Sequence, residues 1–512
     1  MQWKRFVVLG SLILFSTFLL FLRLDFLSFS VDEFRNVETD RYSLIEIISA
    51  LQKGNDLHPP LSHWLSHLWM EVFGESEWAL RSIWAFSGVL TVVLTYRLGA
   101  LLGSESAGFL TAVLLSTSPT FLLYTRFVKY YALTMLLAVA LFFTFFLFLQ
   151  RRKRRYLVGY TLLLSAFLYS DYFGPALCVL WQDLFLLKKS LKSHKYEALR
   201  QILIAQAIGG VFWLPWLRYA LLQTHRVLNM QAADVAYGFF SFSLKIFNVL
   251  YSFSLGETLF PWNPAAIIGL VGATGLLARA TIALYYKRYN LVLWAGSFSL
   301  FSMILLAGLM SSFITGVPFI AFANHILFIC PFFLLWLSGG TEELGWVPKS
   351  LLFTSLLIAH IVGLVNYYSA REFHNPIYAV PTREIVARLA EESAPEDIII
   401  AAQDIGIQFY AVKTPKLKAV ILAPSDEQVV VRMLCAKHPP RVWLFIFGRD
   451  RTRKVTPIAL KKWLDNHYEL VEIRGYVAQD PLYRRIKEML FHRPAYLHKL
   501  TLYIYKRSWE EQ

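Results

Sequence analysis

The sequence predicts an all-α polytopic membrane protein that carries a small α/β domain at its C-terminal end. Of the 512 residues, 56% are hydrophobic and only 17% are charged, which is too apolar for a soluble chain of this length. Long apolar segments also recur as far as residue 368 and then give way to shorter runs. Lipid is therefore predicted to surround much of the chain.

Apolar segments long enough to cross a bilayer number about eleven. Each spanning helix must satisfy its own backbone hydrogen bonds, because the bilayer core holds no water to do so. We expect residues 1–370 to form the transmembrane domain, with a first outer loop at 25–81. The predicted spans are Phe6–Leu22, Ile83–Leu102, Ala107–Tyr124, Tyr131–Leu149, Tyr156–Tyr169, Phe173–Leu187, Ile202–Leu222, Ala265–Tyr286, Leu291–Met310, Val317–Leu337 and Leu351–Tyr368.

Basic residues cluster on alternate connections between these spans. Short loops rich in Lys and Arg stay in the cytoplasm, so the N-terminus is predicted to be cytoplasmic, in the plasma or inner membrane. The net charge of +15 then reflects topology and contact with membrane lipids, and no nucleic-acid partner is predicted. An odd number of spans places the C-terminal domain outside the cytoplasm. The clusters are Lys4-Arg5, residues 151–155, Lys188 through Lys195, and Lys287-Arg288.

Residues 371–512 are predicted to form a soluble extracytoplasmic α/β domain, because short apolar runs there alternate with amphipathic stretches. The domain lacks a glycine-rich phosphate loop, a nucleophile elbow and a metal-ligand cluster in its sequence. A recognition or structural role is therefore favoured over catalysis. Predicted helices are Arg383–Leu389 and Ile458–Trp463, and predicted strands are Ile398–Ala402, Val442–Phe447 and Leu500–Tyr505.

Two acids, Asp32 and Glu33, follow the first span in the outer loop. An acid at the end of a span, where a membrane-embedded substrate presents its head, suits a base that takes a proton from an acceptor. Ordinary solvated loop acids would have the same pattern, so both interpretations stay open at this point.

The second outer connection carries Arg126 and Lys129, which oppose the positive-inside trend. Their spacing of three places both on one face of a helix, and cations on this side call for an anionic partner such as a phosphate or the loop acids. Tyr131 is by default an interfacial aromatic anchor. His58 and His325 add polar groups on the same side, although a histidine at a span end is usually only hydrogen-bonded.

Metal and cofactor chemistry has little support in the sequence. Cys178, Cys330 and Cys435 are too few and too scattered for a disulfide framework or a zinc-ligand spacing. No cofactor is required by the sequence, and a divalent metal is left open because no closed ligand set is visible.

Several motifs, taken in order, resemble a known family. They are Asp32-Glu33, then His58-Pro59-Pro60-Leu61, Glu77-Trp78-Ala79-Leu80-Arg81, Tyr124-Thr125-Arg126 with Lys129 and Tyr131-Ala132-Leu133, and Asn324-His325-Ile326-Leu327. Together they are similar to the GT-C glycosyltransferases of the protein mannosyltransferase and aminoarabinose transferase type, densest over the first third of the chain. The resemblance implies the GT-C fold.

The resemblance also implies an activity in glycosylation of the cell envelope: inverting transfer of a sugar from a polyprenyl-phosphate donor to a protein, lipid or glycan acceptor at the outer face of the membrane. By position, Asp32 would be the catalytic base and Glu33 its supporting acid. The implied donor site contains His58, Arg126, Lys129, Tyr131 and His325. Lys129 stands where the family commonly has Arg, Asp171 stands where a His is expected before Tyr172, and Asn324 replaces a basic residue. Donor contacts at these three positions depart from the family pattern.

Two functions from other classes compete with this interpretation. A polytopic lipid or solute transporter or flippase would also hold ionisable groups in a helical bundle, although near mid-membrane and with an internal repeat, which the sequence lacks. A receptor or scaffold would leave the clustered acids and cations unexplained and predicts that Asp32→Asn is harmless.

Overall fold

The computed structural model describes residues 2–229, 239–286, 290–312, 323–401, 406–422, 427–447, 458–491 and 497–507. The chain divides into two compact units. The first unit comprises Met1–Leu24 and Asn36–Arg371, and the second comprises Asp25–Arg35 and Glu372–Gln512. The predicted cytoplasmic cluster Lys287-Arg288 and the start of the predicted span Val317–Leu337 lie outside the described residues.

The first unit is built from α-helices, and a 3₁₀ helix at Ala323–Ile329 precedes α15. Helix α2 begins in the second unit and ends in the first. The helices are α1 (Gln2–Phe21), α2 (Val31–Asp40), α3 (Leu44–Lys53), α4 (Leu61–Phe73), α5 (Glu77–Leu102), α6 (Glu105–Thr117), α7 (Pro119–Thr125), α8 (Tyr131–Arg151), α9 (Arg154–Leu168), α10 (Phe173–Ser193), α11 (Glu197–Asn229), α12 (Phe239–Ser254), α13 (Pro264–Tyr285), α14 (Asn290–Ser312), α15 (Cys330–Gly339) and α16 (Trp346–Tyr368).

Among the described residues, five helices are long and apolar enough to cross a membrane: α5, α8, α11, α13 and α16. The bent pair α6 and α7 would make a sixth, and three shorter apolar helices lie at Phe6–Phe21, Leu291–Leu306 and Ala323–Gly339. The predicted count of about eleven spans is therefore not confirmed. A hydropathy window counts every apolar run, whereas the structure breaks or shortens several of them.

The break between α6 and α7 bends the chain by 65°. Ser118 caps α7 by accepting a hydrogen bond from the Phe121 N–H, and Pro119 occupies the first turn. Proline has no N–H to continue the preceding helix and fits the first turn of a new one. The short α7 then leads directly to the connection that contains Arg126 and Lys129.

Two glycines let α5 and α6 approach closely. A Cβ added to Gly99 would lie 2.6 Å from the Gly108 Cα, and one added to Gly108 would lie 2.5 Å from the Tyr96 carbonyl oxygen. Small residues at such crossings are typical of helix packing in membranes, where close backbone approach supplies much of the attraction.

The second unit contains a mixed five-stranded sheet in the order β2-β1-β3-β5-β4. Strand β1 is parallel to β2 and β3, whereas β5 is antiparallel to β3 and β4. Its elements are α17 (Thr382–Glu392), β1 (Ile398–Ile400), α18 (Ile407–Val412), β2 (Val420–Leu422), α19 (Glu427–Lys437), β3 (Arg441–Phe447), α20 (Ile458–His467), β4 (Tyr468–Ala478), α21 (Pro481–Phe491) and β5 (His498–Arg507).

Strand β3 forms the centre of this sheet, and six of its seven residues are buried. Leu434 of α19 and Leu464 of α20 are fully buried in the core that covers it. A continuous apolar run is what a strand covered on both faces requires. A mostly helical chain with a C-terminal α/β sheet is thereby confirmed. The predicted segments fall on α17, β1, β3, α20 and β5, with residue 402 outside the described part.

Candidate functional site

Four ionisable side chains of the first unit form a cluster between the end of α2 and the start of α4. Asp40 ends α2, His63 lies in the first turn of α4, and Asp56 and His58 lie in the loop that joins α3 to α4. Pro59 and Pro60 follow His58 and restrict the backbone of this loop. We call Asp40, His63, Asp56 and His58 the carboxylate–histidine chain.

Consecutive members of the carboxylate–histidine chain are in contact. His63 Nδ1 lies 2.6 Å from Asp40 Oδ1, and His63 Nε2 lies 3.6 Å from Asp56 Oδ2. Asp56 Oδ1 in turn lies 2.5 Å from His58 Nδ1. The exposed fraction rises from 1% and 2% for the side chains of Asp40 and His63 to 13% and 19% for those of Asp56 and His58. The chain thus runs from the protein interior to an accessible end at His58.

The central His63 has a carboxylate oxygen beside each ring nitrogen. A neutral imidazole has one N–H donor and an imidazolium has two, so two acceptors favour the charged form. Burial lowers the pKa of His63, but the charges and hydrogen bonds of Asp40 and Asp56 outweigh burial and raise it to about 10. His63 is therefore a buried cation between two carboxylates at neutral pH.

Asp56 stays ionised although it is largely buried. Burial raises its pKa, but the charge and hydrogen bond of His58, the hydrogen bond of His63 and the charge of Lys129 together hold the pKa of Asp56 well below its usual value. Asp56 Oδ1 also accepts hydrogen bonds from the backbone N–H groups of Leu57 and His58. These contacts fix the carboxylate at the start of the loop.

Lys129 and Tyr131 lie beside the accessible end of this chain. The His58 ring stacks on Tyr130 with centroids 3.9 Å apart. Lys129 Nζ lies 5.6 Å from the centroid of the Tyr131 ring. The Asn36 side-chain amide donates a 2.9 Å hydrogen bond to the Val128 carbonyl and so fixes the backbone just before Lys129.

His325 belongs to the same neighbourhood, because the charges of Lys129 and His58 both act on it. Its neighbour Asn324 donates a 2.9 Å hydrogen bond from Nδ2 to the Tyr131 hydroxyl. The structure thus brings together His58, Lys129, Tyr131 and His325, four of the five side chains implied for the donor site.

Arg126, the fifth, is 2% exposed and makes contacts inside the protein. Its Nη1 donates to the Tyr368 hydroxyl at 2.8 Å, and its Nη2 donates to the carbonyl oxygens of Leu22 at 2.8 Å and Arg23 at 2.6 Å. These carbonyls follow the end of α1, where the helix dipole is negative. The sequence predicted an anionic partner for Arg126. In these contacts the partners of its Nη2 are instead carbonyl oxygens at the negative end of the α1 dipole.

Asp32 and Glu33 lie in the first turn of α2, in the second unit. Glu33 is 1% exposed, and its Oε2 accepts a 3.0 Å hydrogen bond from the Ser30 N–H. This contact is one half of a capping box at the start of the helix. Asp32 is partly exposed and lies at the N-terminal end of the helix.

Two further acids have local hydrogen-bonding roles. Asp171 Oδ2 accepts a 2.8 Å hydrogen bond from the Gly174 N–H at the start of α10. Glu257 Oε2 accepts a 2.7 Å hydrogen bond from the Tyr124 hydroxyl, and burial raises the pKa of Glu257 to about 7. In the part of the chain that the structure describes, no group of three or more His, Cys, Asp or Glu side chains could hold a metal ion.

The chain is similar in sequence and in fold to known proteins. The family described as "Dolichyl-phosphate-mannose-protein mannosyltransferase" matches residues 57–219. No curated protein matches the chain. Among solved structures, ArnT from Cupriavidus metallidurans in the apo state has a TM-score of 0.56 at 12% identity, over 92% of this chain and 96% of that one. The same protein bound to undecaprenyl phosphate has a TM-score of 0.55 at 12% identity, over 96% of this chain and 98% of that one.

The resemblance to the GT-C glycosyltransferases is confirmed. At 12% identity the solved structures show the shared fold alone, and the mannosyltransferase family model matches residues 57–219. That range contains His58, His63, Arg126, Lys129 and Tyr131. With its apolar helices, the chain is an integral membrane protein with a GT-C fold.

Proposed function

We propose that this protein is an inverting glycosyltransferase that moves a sugar from a polyprenyl-phosphate donor to an acceptor at the outer face of the membrane. The observation that carries the proposal is the grouping of Lys129 and His58 at the accessible end of the carboxylate–histidine chain, in a protein with a GT-C fold. The ArnT structure bound to undecaprenyl phosphate supports a lipid phosphate as the ligand of such a site.

The donor phosphate is proposed to bind at Lys129 and His58, with Tyr131 and His325 beside it. Lysine neutralises a phosphate as a point charge, and an imidazole N–H adds a directed hydrogen bond. Both interactions are stronger in a partly buried site than in water. Arg126 would contribute to the donor site indirectly, by binding the end of α1 and so fixing the connection between α7 and α8 that carries Lys129.

The reaction follows from the chemistry of the donor. The bond between the sugar C1 and the phosphate oxygen breaks, and its electron pair stays on the phosphate. The acceptor nucleophile bonds to C1 from the opposite side, and its proton passes to Asp32 as general base. Because the phosphodiester becomes a monoester with an additional negative charge, fixed cations at the phosphate stabilise the transition state more than the ground state.

The acceptor is proposed to approach Asp32 from the aqueous side, with Glu33 fixing the helix turn that carries the base. The N-terminus is proposed to be cytoplasmic, and residues 371–512 are proposed to lie outside the cytoplasm and to help select a protein, lipid or glycan acceptor. Cysteine labelling tests this topology: cysteines introduced at position 53, which is exposed in the same outer loop as Asp32, and at position 450 should be labelled from the same side of the membrane.

The direct test is reconstitution of the purified protein with radiolabelled polyprenyl-phosphate sugars and a panel of acceptors. Wild type is expected to transfer label, and Asp32→Asn is expected to lose at least about a hundredfold in rate, the usual range for a general base. Asp25→Asn is the matched control, because Asp25 is an exposed acid in the same segment. Equal transfer by Asp32→Asn and wild type contradicts the base assignment, and transport without transfer by any donor supports a flippase.

A further inference from the structure

Of the carboxylate–histidine chain, only His58 has been given a role in the proposed reaction. Asp40 and His63 are too deeply buried to touch a donor, and the two carboxylate oxygens of Asp56 face His58 and His63. Burial of ionisable groups is costly unless each charge has a partner, and burial raises the pKa of Asp40 in spite of the neighbouring His63 charge. The arrangement of this chain therefore calls for an explanation.

We propose that Asp56, His63 and Asp40 form a positioning relay that holds His58 with Nδ1 on Asp56 and Nε2 towards the donor phosphate. The proposal rests on the proposed function. The Asp56 carboxylate 2.5 Å from His58 Nδ1 fixes the ring orientation and its protonated nitrogen. Nε2 is then the ring nitrogen that faces the phosphate, and it donates a hydrogen bond to a phosphate oxygen when it also carries a proton.

The inner pair explains why Asp56 keeps its position. Oδ1 of Asp56 accepts hydrogen bonds from the Leu57 and His58 backbone N–H groups and lies beside His58 Nδ1. Oδ2 faces His63 Nε2. His63 is itself held by Asp40 at 2.6 Å. Both lobes of the Asp56 carboxylate are thus engaged, so its orientation and that of His58 are set from the protein interior.

The stack on Tyr130 removes the remaining freedom of the His58 ring. Its centroid lies 3.9 Å from that of Tyr130, and the two planes differ by 28°. Lys129, next in sequence to Tyr130, acts electrostatically on Asp56. The relay therefore presents an oriented imidazole and a lysine ammonium to one phosphate, the preorganisation that a charge-binding site needs.

The effect of neutralising Asp56 distinguishes positioning from simple electrostatics. Asp56 is an anion near the proposed phosphate site. If its only effect were electrostatic, it would repel the phosphate, and Asp56→Asn would tighten binding. As a positioning residue it orients His58, and Asp56→Asn would weaken binding. The two roles predict changes of opposite sign.

The experiment measures the dissociation constant of farnesyl phosphate for the purified full-length protein in detergent. His58→Gln and Asp56→Asn are each expected to weaken binding by about tenfold, the scale of one charge-assisted hydrogen bond. The double variant is expected to bind farnesyl phosphate no more weakly than the single variant with the larger loss, because Asp56 acts through His58. Asp56→Glu, which keeps the carboxylate but displaces it by one methylene, is a second probe of the relay should Asp56→Asn fail to fold, and it is expected to weaken binding in the same direction.

His67→Gln is the matched control, because His67 Nδ1 lies 2.9 Å from the Asp40 backbone carbonyl rather than from its carboxylate. Its dissociation constant should equal that of wild type. Unchanged or tighter binding by Asp56→Asn overturns the relay, as does a double variant whose loss is the product of the single losses. Wild type that does not bind farnesyl phosphate overturns the proposed function, and the relay with it.

Discussion

His63 shows how one residue can decide the electrostatics of a site. It is 2% exposed and carries a carboxylate on each ring nitrogen. Replacing it with a neutral side chain would leave Asp40 and Asp56 as two buried anions close together, which is strongly unfavourable. Its charge is therefore part of the stability of the fold as well as of the proposed relay.

The raised pKa of His63 predicts how stability depends on pH. Because its pKa rises from 6.5 to about 10 on folding, its contribution is complete below pH 6.5 and is lost as the pH rises towards 10. The protein should therefore unfold at progressively lower temperature between pH 7 and pH 10, as measured by thermal unfolding in detergent. The unfolding temperature should fall less steeply with pH in His63→Gln than in wild type. An identical fall in both proteins contradicts the raised pKa of His63.

The sequence identified His58 and Lys129 but not the residues behind His58. His58 stands in a motif and Lys129 opposes the topogenic charge pattern, so both have a local signal. Asp40, Asp56 and His63 are separated by gaps without a motif, and only the fold brings the last residue of α2 to α4 and its preceding loop. Arg126 had the same signal as Lys129, and its contacts with backbone carbonyls depend on the position of α1.

At the scale of elements, the C-terminal end of α1 is held by two buried arginines. Arg126 donates to the carbonyls of Leu22 and Arg23, and Arg81 Nη1 donates to the Leu24 carbonyl at 3.1 Å. The last carbonyls of a helix have no partner within it. Arginine supplies several donors in a fixed geometry and opposes the negative end of the dipole.

Removing the Arg126 contacts should therefore destabilise the fold. Arg126→Ala is expected to lower the free energy of unfolding by roughly 3 kcal/mol, because two charged hydrogen bonds to partly buried carbonyls are lost. Chemical denaturation in detergent measures the change. Tyr368→Phe, which keeps the arginine and removes one hydroxyl partner, should cost less. If Arg126→Ala has wild-type stability, its role in holding α1 is wrong.

The break at Ser118 and Pro119 illustrates what the sequence could and could not predict about helices. Both residues are signals for a helix boundary, yet the apolar residues on either side continue as one hydropathy segment. The predicted span Ala107–Tyr124 is consequently two helices at 65°. Helix positions were largely predictable from apolar runs, whereas bends and true spanning lengths depend on packing.

At the scale of the whole molecule, composition and segment order predicted a helical membrane protein with a C-terminal α/β sheet, which is confirmed. The strands with continuous apolar runs, such as β3, were recognised. Strand β4 was missed because most of its residues are exposed, so it lacks an apolar run. The resemblance to GT-C glycosyltransferases came from the order of motifs rather than from any one of them.

The central claim is that the donor phosphate binds at Lys129 beside His58. Donor saturation of sugar transfer, compared among wild type, Lys129→Arg and Lys129→Ala, tests it most directly. Lys129→Arg keeps the cation and should keep a donor KM close to that of wild type. Lys129→Ala should raise the donor KM by about tenfold or more, because a charged phosphate contact is lost. An unchanged donor KM in a folded Lys129→Ala protein would contradict the account.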